Sequence, residues 1–131
     1  MARFKSVDGE VVPFTPAEEA EADAAEAAAL AGLKAKVQGL INAEAGRRIN
    51  ARLPAWQQSN MVARGVELVN IRFDRAWTSD EAAEAAGLQA AWDWIKSVRV
   101  ASDAIQAAIP EGADAATFQY LDRPEWPADP S

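Results

Sequence analysis

Apolar and polar residues alternate at the start of the chain. Residues 3–7 and 10–14 read as two short strands flanking Asp8-Gly9, a dipeptide suited to a two-residue hairpin because Gly tolerates positive φ. A lone hairpin is marginal in water. This one is therefore expected to dock, with Val7, Val12 and Phe14 as its apolar contacts.

A helical period replaces the alternation at Thr15-Pro16-Ala17-Glu18. That run combines an N-cap hydroxyl, Pro at the first helical position and Glu three residues after the cap. Glu18, Glu19, Glu21, Asp23 and Glu26 follow, matching the positive end of the helix dipole. Leu30, Leu33, Val37, Leu40 and Ile41 keep a 3–4 spacing, which fades at Glu44. Continuous from Pro16 to Arg52, the helix would be about 55 Å long at 1.5 Å per residue. Residues 17–29 contain no large apolar side chain; such a segment projects into solvent or packs through Ala in a coiled coil or against a partner, so the chain is expected to be a homo-oligomer. Gly32, Gly39 and Gly46 fall seven apart. The spacing reads either as a close-approach face or as chance in an Ala/Gly-rich chain, and chance is favoured.

Leu53-Pro54 breaks the pattern, and Pro54 can start a second helix. Trp56, Val62, Val66 and Val69 predict a buried stripe ending near Ile71 or Phe73. Thr78-Ser79-Asp80-Glu81 is another capping box. It opens a third helix with Leu88, Trp92, Ile95, Val98, Ile105 and Ile109 on one face and Ser102 in the gap, ending at Pro110. Helices two and three should pair as an antiparallel hairpin. Beyond Thr117, Pro124, Pro127 and Pro130 exclude helix and leave an extended strap, anchored by Trp126 or free to bind. The fold class is mainly α: an N-terminal β-hairpin and long helical arm (residues 1–52), a helical hairpin (53–112) and a Pro-rich extended C-terminal strap (113–131).

Composition narrows the function more than it names it. Ala supplies much of the apolar content of these 131 residues, so the core leans on five Trp, four Phe and scattered aliphatics. Net charge is −7, which opposes non-specific nucleic-acid binding; Arg47, Arg48 and Arg52 read as a solvated helix face. No stretch approaches the roughly 20 apolar residues of a membrane span. The chain has no His and no Cys, so the commonest general base, the soft metal ligands and the thiolate nucleophile are missing. The glycines are isolated and make no phosphate loop. The acidic run Glu18 to Glu26 reads as a solvated face, since nothing near it would desolvate a carboxylate. No catalytic residue, cofactor or metal is expected, and the chain reads as a protein that works by binding another protein.

Aromatic residues then become the candidate binding groups. Trp92 belongs to the apolar stripe of the third helix, whereas Trp94 lies about 200° around it. Trp94 is thus either an exposed anchor, the role aromatic hot spots play, or is covered by a second neighbour such as the first helix. Trp94, Trp126, Tyr120 and Arg99 are the expected partner-binding residues.

Phe4-Lys5-Ser6-Val7-Asp8-Gly9-Glu10, then Phe14-Thr15-Pro16-Ala17-Glu18-Glu19, resembles small tail-module proteins of tailed bacteriophages. Leu88-Gln89-Ala90-Ala91-Trp92, Val98-Arg99, Ala104-Ile105, Ile109-Pro110 and Pro124-Glu125-Trp126-Pro127-Ala128-Asp129-Pro130 occur in an order similar to the end of tail-fibre assembly proteins and tail assembly chaperones. The likeness covers residues 1–22 and 77–130. Trp94 to Arg99 stands where those proteins carry a Tyr-Arg signature, and residues 47–69 have no counterpart. It implies a phage tail or tail-fibre assembly protein whose partner is a tail or fibre polypeptide, acting in the host cytoplasm during assembly. The alternative is a structural component of the virion tail or baseplate, homo-oligomeric through the long helix. A third reading is a regulator of a host protein. Nucleic acid and membrane are not expected partners.

Overall fold

In the computed structural model, which describes residues 3–129, the chain folds as β1 (Phe4–Val7), β2 (Glu10–Pro13), α1 (Pro16–Arg52), α2 (Ala55–Asp74), α3 (Ser79–Ala107) and a short 3-10 turn (Tyr120–Asp122). The outer ends of the expected hairpin unit and strap, Met1, Ala2, Pro130 and Ser131, lie outside the described residues.

The hairpin turn takes φ of 50° at Asp8 and 84° at Gly9, the double positive φ whose twist suits two antiparallel strands. Lys5 pairs with Val12 and Ser6 with Val11. Docking on α1 is chiefly electrostatic. The Arg3 guanidinium reaches Glu19 at 2.7 Å, Asp23 at 2.7 Å and Glu26 at 2.8 Å, and Lys5 Nζ lies 2.6 Å from Glu18. Val12 and Phe14 are half-buried, but Val7, beside the turn opposite Glu10, is exposed. The apolar docking expected of Val7 does not occur. This stretch of α1 offers carboxylates and Ala, so cations rather than hydrocarbon meet it.

Helix α1 is one continuous run of 37 residues. The Thr15 hydroxyl accepts from the Glu18 amide at 3.2 Å, and the Glu18 carboxylate accepts from the Thr15 amide at 3.0 Å. No residue of α1 before Val37 is buried. A Cβ at Gly32, Gly39 or Gly46 would meet nothing within 4 Å, so their seven-residue spacing marks no close approach inside the chain.

Helices α2 and α3 run antiparallel across a short connection. Arg64 bridges to Glu84 at 2.6 Å, Arg75 to Glu81 at 2.7 Å, and the Trp77 indole donates to the Leu68 carbonyl at 2.7 Å. The second half of α3 turns to α1, where Ile95, Val98, Ala101 and Ile105 bury against Val37, Ile41, Ala45 and Ile49. Ser102 fits this apolar row because a polar clasp receives it: Gln106 Nε2 donates to its hydroxyl at 3.0 Å and to Asn42 Oδ1 at 2.8 Å. Ile109, Phe118 and Trp126 close the same core.

The stripe expected to be buried on α2 is mostly outside. Met61 and Leu68 are its buried residues, while Trp56, Val62, Val66, Val69 and Phe73 are exposed and Ile71 is half-buried. At 100° per residue, Met61 and Leu68 face α3, and the valines and Phe73 share a face about 100° further round. That face has no covering element among the described residues.

Candidate protein-interaction surfaces

Two surfaces compete for a binding role: the strap, which the sequence pointed to, and the outer face of α2, which it did not. The strap is fixed by α1. Glu44 occupies a position where the apolar spacing called for a contact, and it is buried. It accepts from Arg47 Nε at 2.8 Å, Arg47 NH2 at 2.6 Å and Arg48 Nε at 2.9 Å. These two guanidiniums, Arg47 first, hold its carboxyl below the ordinary range against the opposing effect of burial. Arg48 also donates to the Leu121 carbonyl at 2.9 Å, and its guanidinium lies 4.5 Å from the centre of the Trp126 ring. Arg52 Nε sits 3.0 Å from Asp129. Arg48 and Arg52, which read as part of a solvated face, instead clamp the C-terminal segment, while Arg47 pairs with Glu44 and stays largely exposed. The signal for this was present in part: a lone Glu at a core-facing position followed at i+3 and i+4 by arginines is a self-neutralising cluster.

Trp126 is therefore an internal staple. It is 8% exposed, its indole donates to the Tyr120 carbonyl at 2.8 Å, and it shares the core with Ile41, Ile105 and Phe118. Trp94 is half-buried against the same strap, with Nε1 donating to the Ala128 carbonyl at 3.1 Å. The out-of-phase tryptophan is thus covered by the strap, while Trp92 lines the α2–α3 crevice with Leu68 and Leu88. Tyr120 is half-buried against the core. Arg99 is exposed on α3 with no side-chain partner among the described residues. The structure thus brings Trp94, Trp126 and Tyr120 together around the strap and leaves Arg99 apart. A shallow cavity of about 290 Å³ remains between Arg47, Arg48, Trp94 and Asp129.

The outer face of α2 has the opposite character. Val62, Val66 and Val69 are 51–56% exposed, Trp56 65% and Phe73 84%. Most large apolar side chains in a folded domain find cover, so a row of them along one helix is an unsatisfied surface rather than scattered exposure. The row adjoins a crevice of about 190 Å³ between α2 and α3, lined by Met61, Gly65, Val69, Trp77 and Trp92 among others. Sequence periodicity identified these residues as apolar and in phase. It could not say whether the neighbour they face belongs to the same chain.

No protein-family model matches this chain, and neither does any curated protein or solved structure.

Proposed function

We propose that this chain is a tail-module protein of a tailed bacteriophage that acts by non-covalent protein–protein binding. The uncovered Val62–Val66–Val69–Phe73 face of α2 is the observation that carries the binding reading. Covering it removes apolar surface from water with no change inside the chain's own core. The assignment to a tail module rests on the resemblance of residues 1–22 and 77–130 to tail-fibre assembly proteins and tail assembly chaperones. In this reading the chain meets a tail or fibre polypeptide in the host cytoplasm during assembly and performs no covalent chemistry.

The second reading, a retained and homo-oligomeric part of the tail or baseplate, is favoured by α1. No residue of it before Val37 is buried; its acidic face carries the hairpin and Leu30 meets the turn at Gly112. Mass spectrometry of purified particles separates the two readings. An assembly chaperone is absent from them; a structural part is present at fixed stoichiometry. Binding itself is tested by offering purified tail and fibre polypeptides to the chain and to Val66→Glu. Equal capture by both would remove α2 as the binding face, and capture by neither would remove the tail-module reading.

A further inference from the structure

We propose that the occupant of the outer α2 face is the α2 helix of a second copy, laid antiparallel across a two-fold axis near residue 64. This rests on reading that face as a protein-binding surface, and it commits to the partner. The spacing is that of a coiled-coil seam. Ala55, Ser59, Val62, Val66, Val69 and Phe73 alternate steps of four and three, which keeps one narrow stripe facing a straight neighbour. Five of these six lie on the exposed side of the helix together with Trp56, and the sixth, Ala55, is exposed as well.

A two-fold interface must be complementary to itself, and this stripe is so only when antiparallel. Its small residues, Ala55 and Ser59, stand at one end and its largest, Phe73, at the other. A parallel pairing would set Phe73 against Phe73 and leave Ala55 facing Ala55 across a gap. Antiparallel about residue 64, Phe73 lies over the second copy's Ala55, Val69 over Ser59 and Val66 over Val62. Ala63 and Gly65 flank the axis on either side of the seam, and a Cβ at Gly65 would meet nothing within 4 Å, so the backbones can approach closely there. The flanks carry no opposed like charges. On one side Trp56 meets Asn70. On the other Gln58 meets Arg72, the only charged residue beside the seam. Arg64 is already committed to Glu84 and Glu67.

The area is sufficient. With aromatic side chains presenting about 150–250 Å² each, Phe73, Trp56 and the three half-exposed valines offer roughly 500 Å² per chain, so a pair reaches the ~1,000 Å² at which specific interfaces begin. By contrast, the large apolar side chain that α1 exposes is Leu33, at 38%. Self-association through α2 therefore covers more large apolar side chains than self-association through the long helix.

The test is sedimentation of the full chain across micromolar to sub-millimolar concentrations, followed by disulfide mapping. The expected species has twice the 14.0 kDa chain mass. Val66→Glu and, separately, Phe73→Ser should return it to a monomer with unchanged helix content, since both positions are exposed within one chain. The dissociation constant should rise on the order of a hundredfold when a carboxylate is forced into an apolar seam. The chain has no cysteine, so Ser59→Cys and Val69→Cys copies, mixed and oxidised, report direction: unlike copies cross-link if antiparallel, like copies if parallel. A monomer throughout, a dimer untouched by both substitutions, or like–like cross-links would each overturn the proposal. If the chain is a monomer but Val66→Glu loses capture of a purified tail polypeptide, the self-pairing fails and the protein-binding reading stands. If the antiparallel dimer forms and no tail polypeptide binds, the self-pairing stands and the tail-module reading fails.

Discussion

Replacing Trp126 by Ala should cost stability first. The side chain is 8% exposed, and truncating a buried Trp costs about 3–5 kcal/mol through lost transfer energy and the cavity left behind. The indole also gives up its donor bond to the Tyr120 carbonyl at 2.8 Å and its contact with the Arg48 guanidinium at 4.5 Å, each worth about 1 kcal/mol or less. Some relaxation of the Pro-rich strap offsets these losses, so about 4 kcal/mol is expected, against a total stability of roughly 5–15 kcal/mol for a domain. With an unfolding entropy near 2 cal/mol/K per residue, that corresponds to a fall in Tm of about 10–15 °C. Urea and thermal unfolding followed by circular dichroism at 222 nm measure it, and proteolysis within residues 113–129 should accelerate in parallel. Trp126→Phe, which keeps most of the volume and loses the donor, should cost about 1–2 kcal/mol. The reasoning is refuted if Trp126→Ala loses less than about 1 kcal/mol while capture of a tail polypeptide is abolished. In that case the ring would be a partner anchor held only loosely in the free chain.

Three other outcomes follow from the geometry. Gly32→Ala, Gly39→Ala and Gly46→Ala should each stabilise the chain by about 0.5–1 kcal/mol, because each added Cβ meets open space in the interior of α1; a loss of stability in a urea titration would reveal a close contact at that face. Arg3→Ala removes the cation shared by Glu19, Asp23 and Glu26, so amide exchange in residues 4–13 should speed up while the core Tm stays within a degree or two, and high salt should act in the same direction on the wild type. Acid should loosen both helix starts together: Lys5 hydrogen-bonding to Glu18, and Arg75 to Glu81, hold these carboxyls at about 2. A depressed folded-state pKa contributes stability in full above the ordinary carboxyl value of 4.5 and loses it as pH falls from there towards 2. Glu18→Gln and Glu81→Gln should flatten that part of a stability–pH curve, and an unchanged curve would show that the pairs do not form in solution.

The features legible in the sequence were those that depend on a few adjacent residues. Thr15 with Glu18, and Thr78 with Glu81, form their capping boxes as expected because such a cap needs only a hydroxyl, a carboxylate and the backbone amides of those same two residues. Asp8-Gly9 makes its turn for the same reason, since the required φ values belong to those two residues. The third helix placed Ile95, Val98 and Ile105 correctly in the core because both its neighbours lie within the chain.

Tertiary structure decided everything that turns on which neighbour a face meets. Periodicity marked Val62, Val66, Val69 and Phe73 as one apolar face, yet α3 covers Met61 and Leu68 instead and leaves that face outside. The strap covers Trp94 and seats its own Trp126 in the core, where Arg48, 78 positions earlier, lays its guanidinium on that ring while holding the buried Glu44. Arg3 and Lys5 bind the acidic helix face, which local sequence reads as solvated, because the hairpin folds back along it. A hydrophobic period records only the phase of a side chain around its own axis. Whether that phase points at a core, at solvent or at another molecule is set by the packing of distant segments, which no local window of the sequence contains.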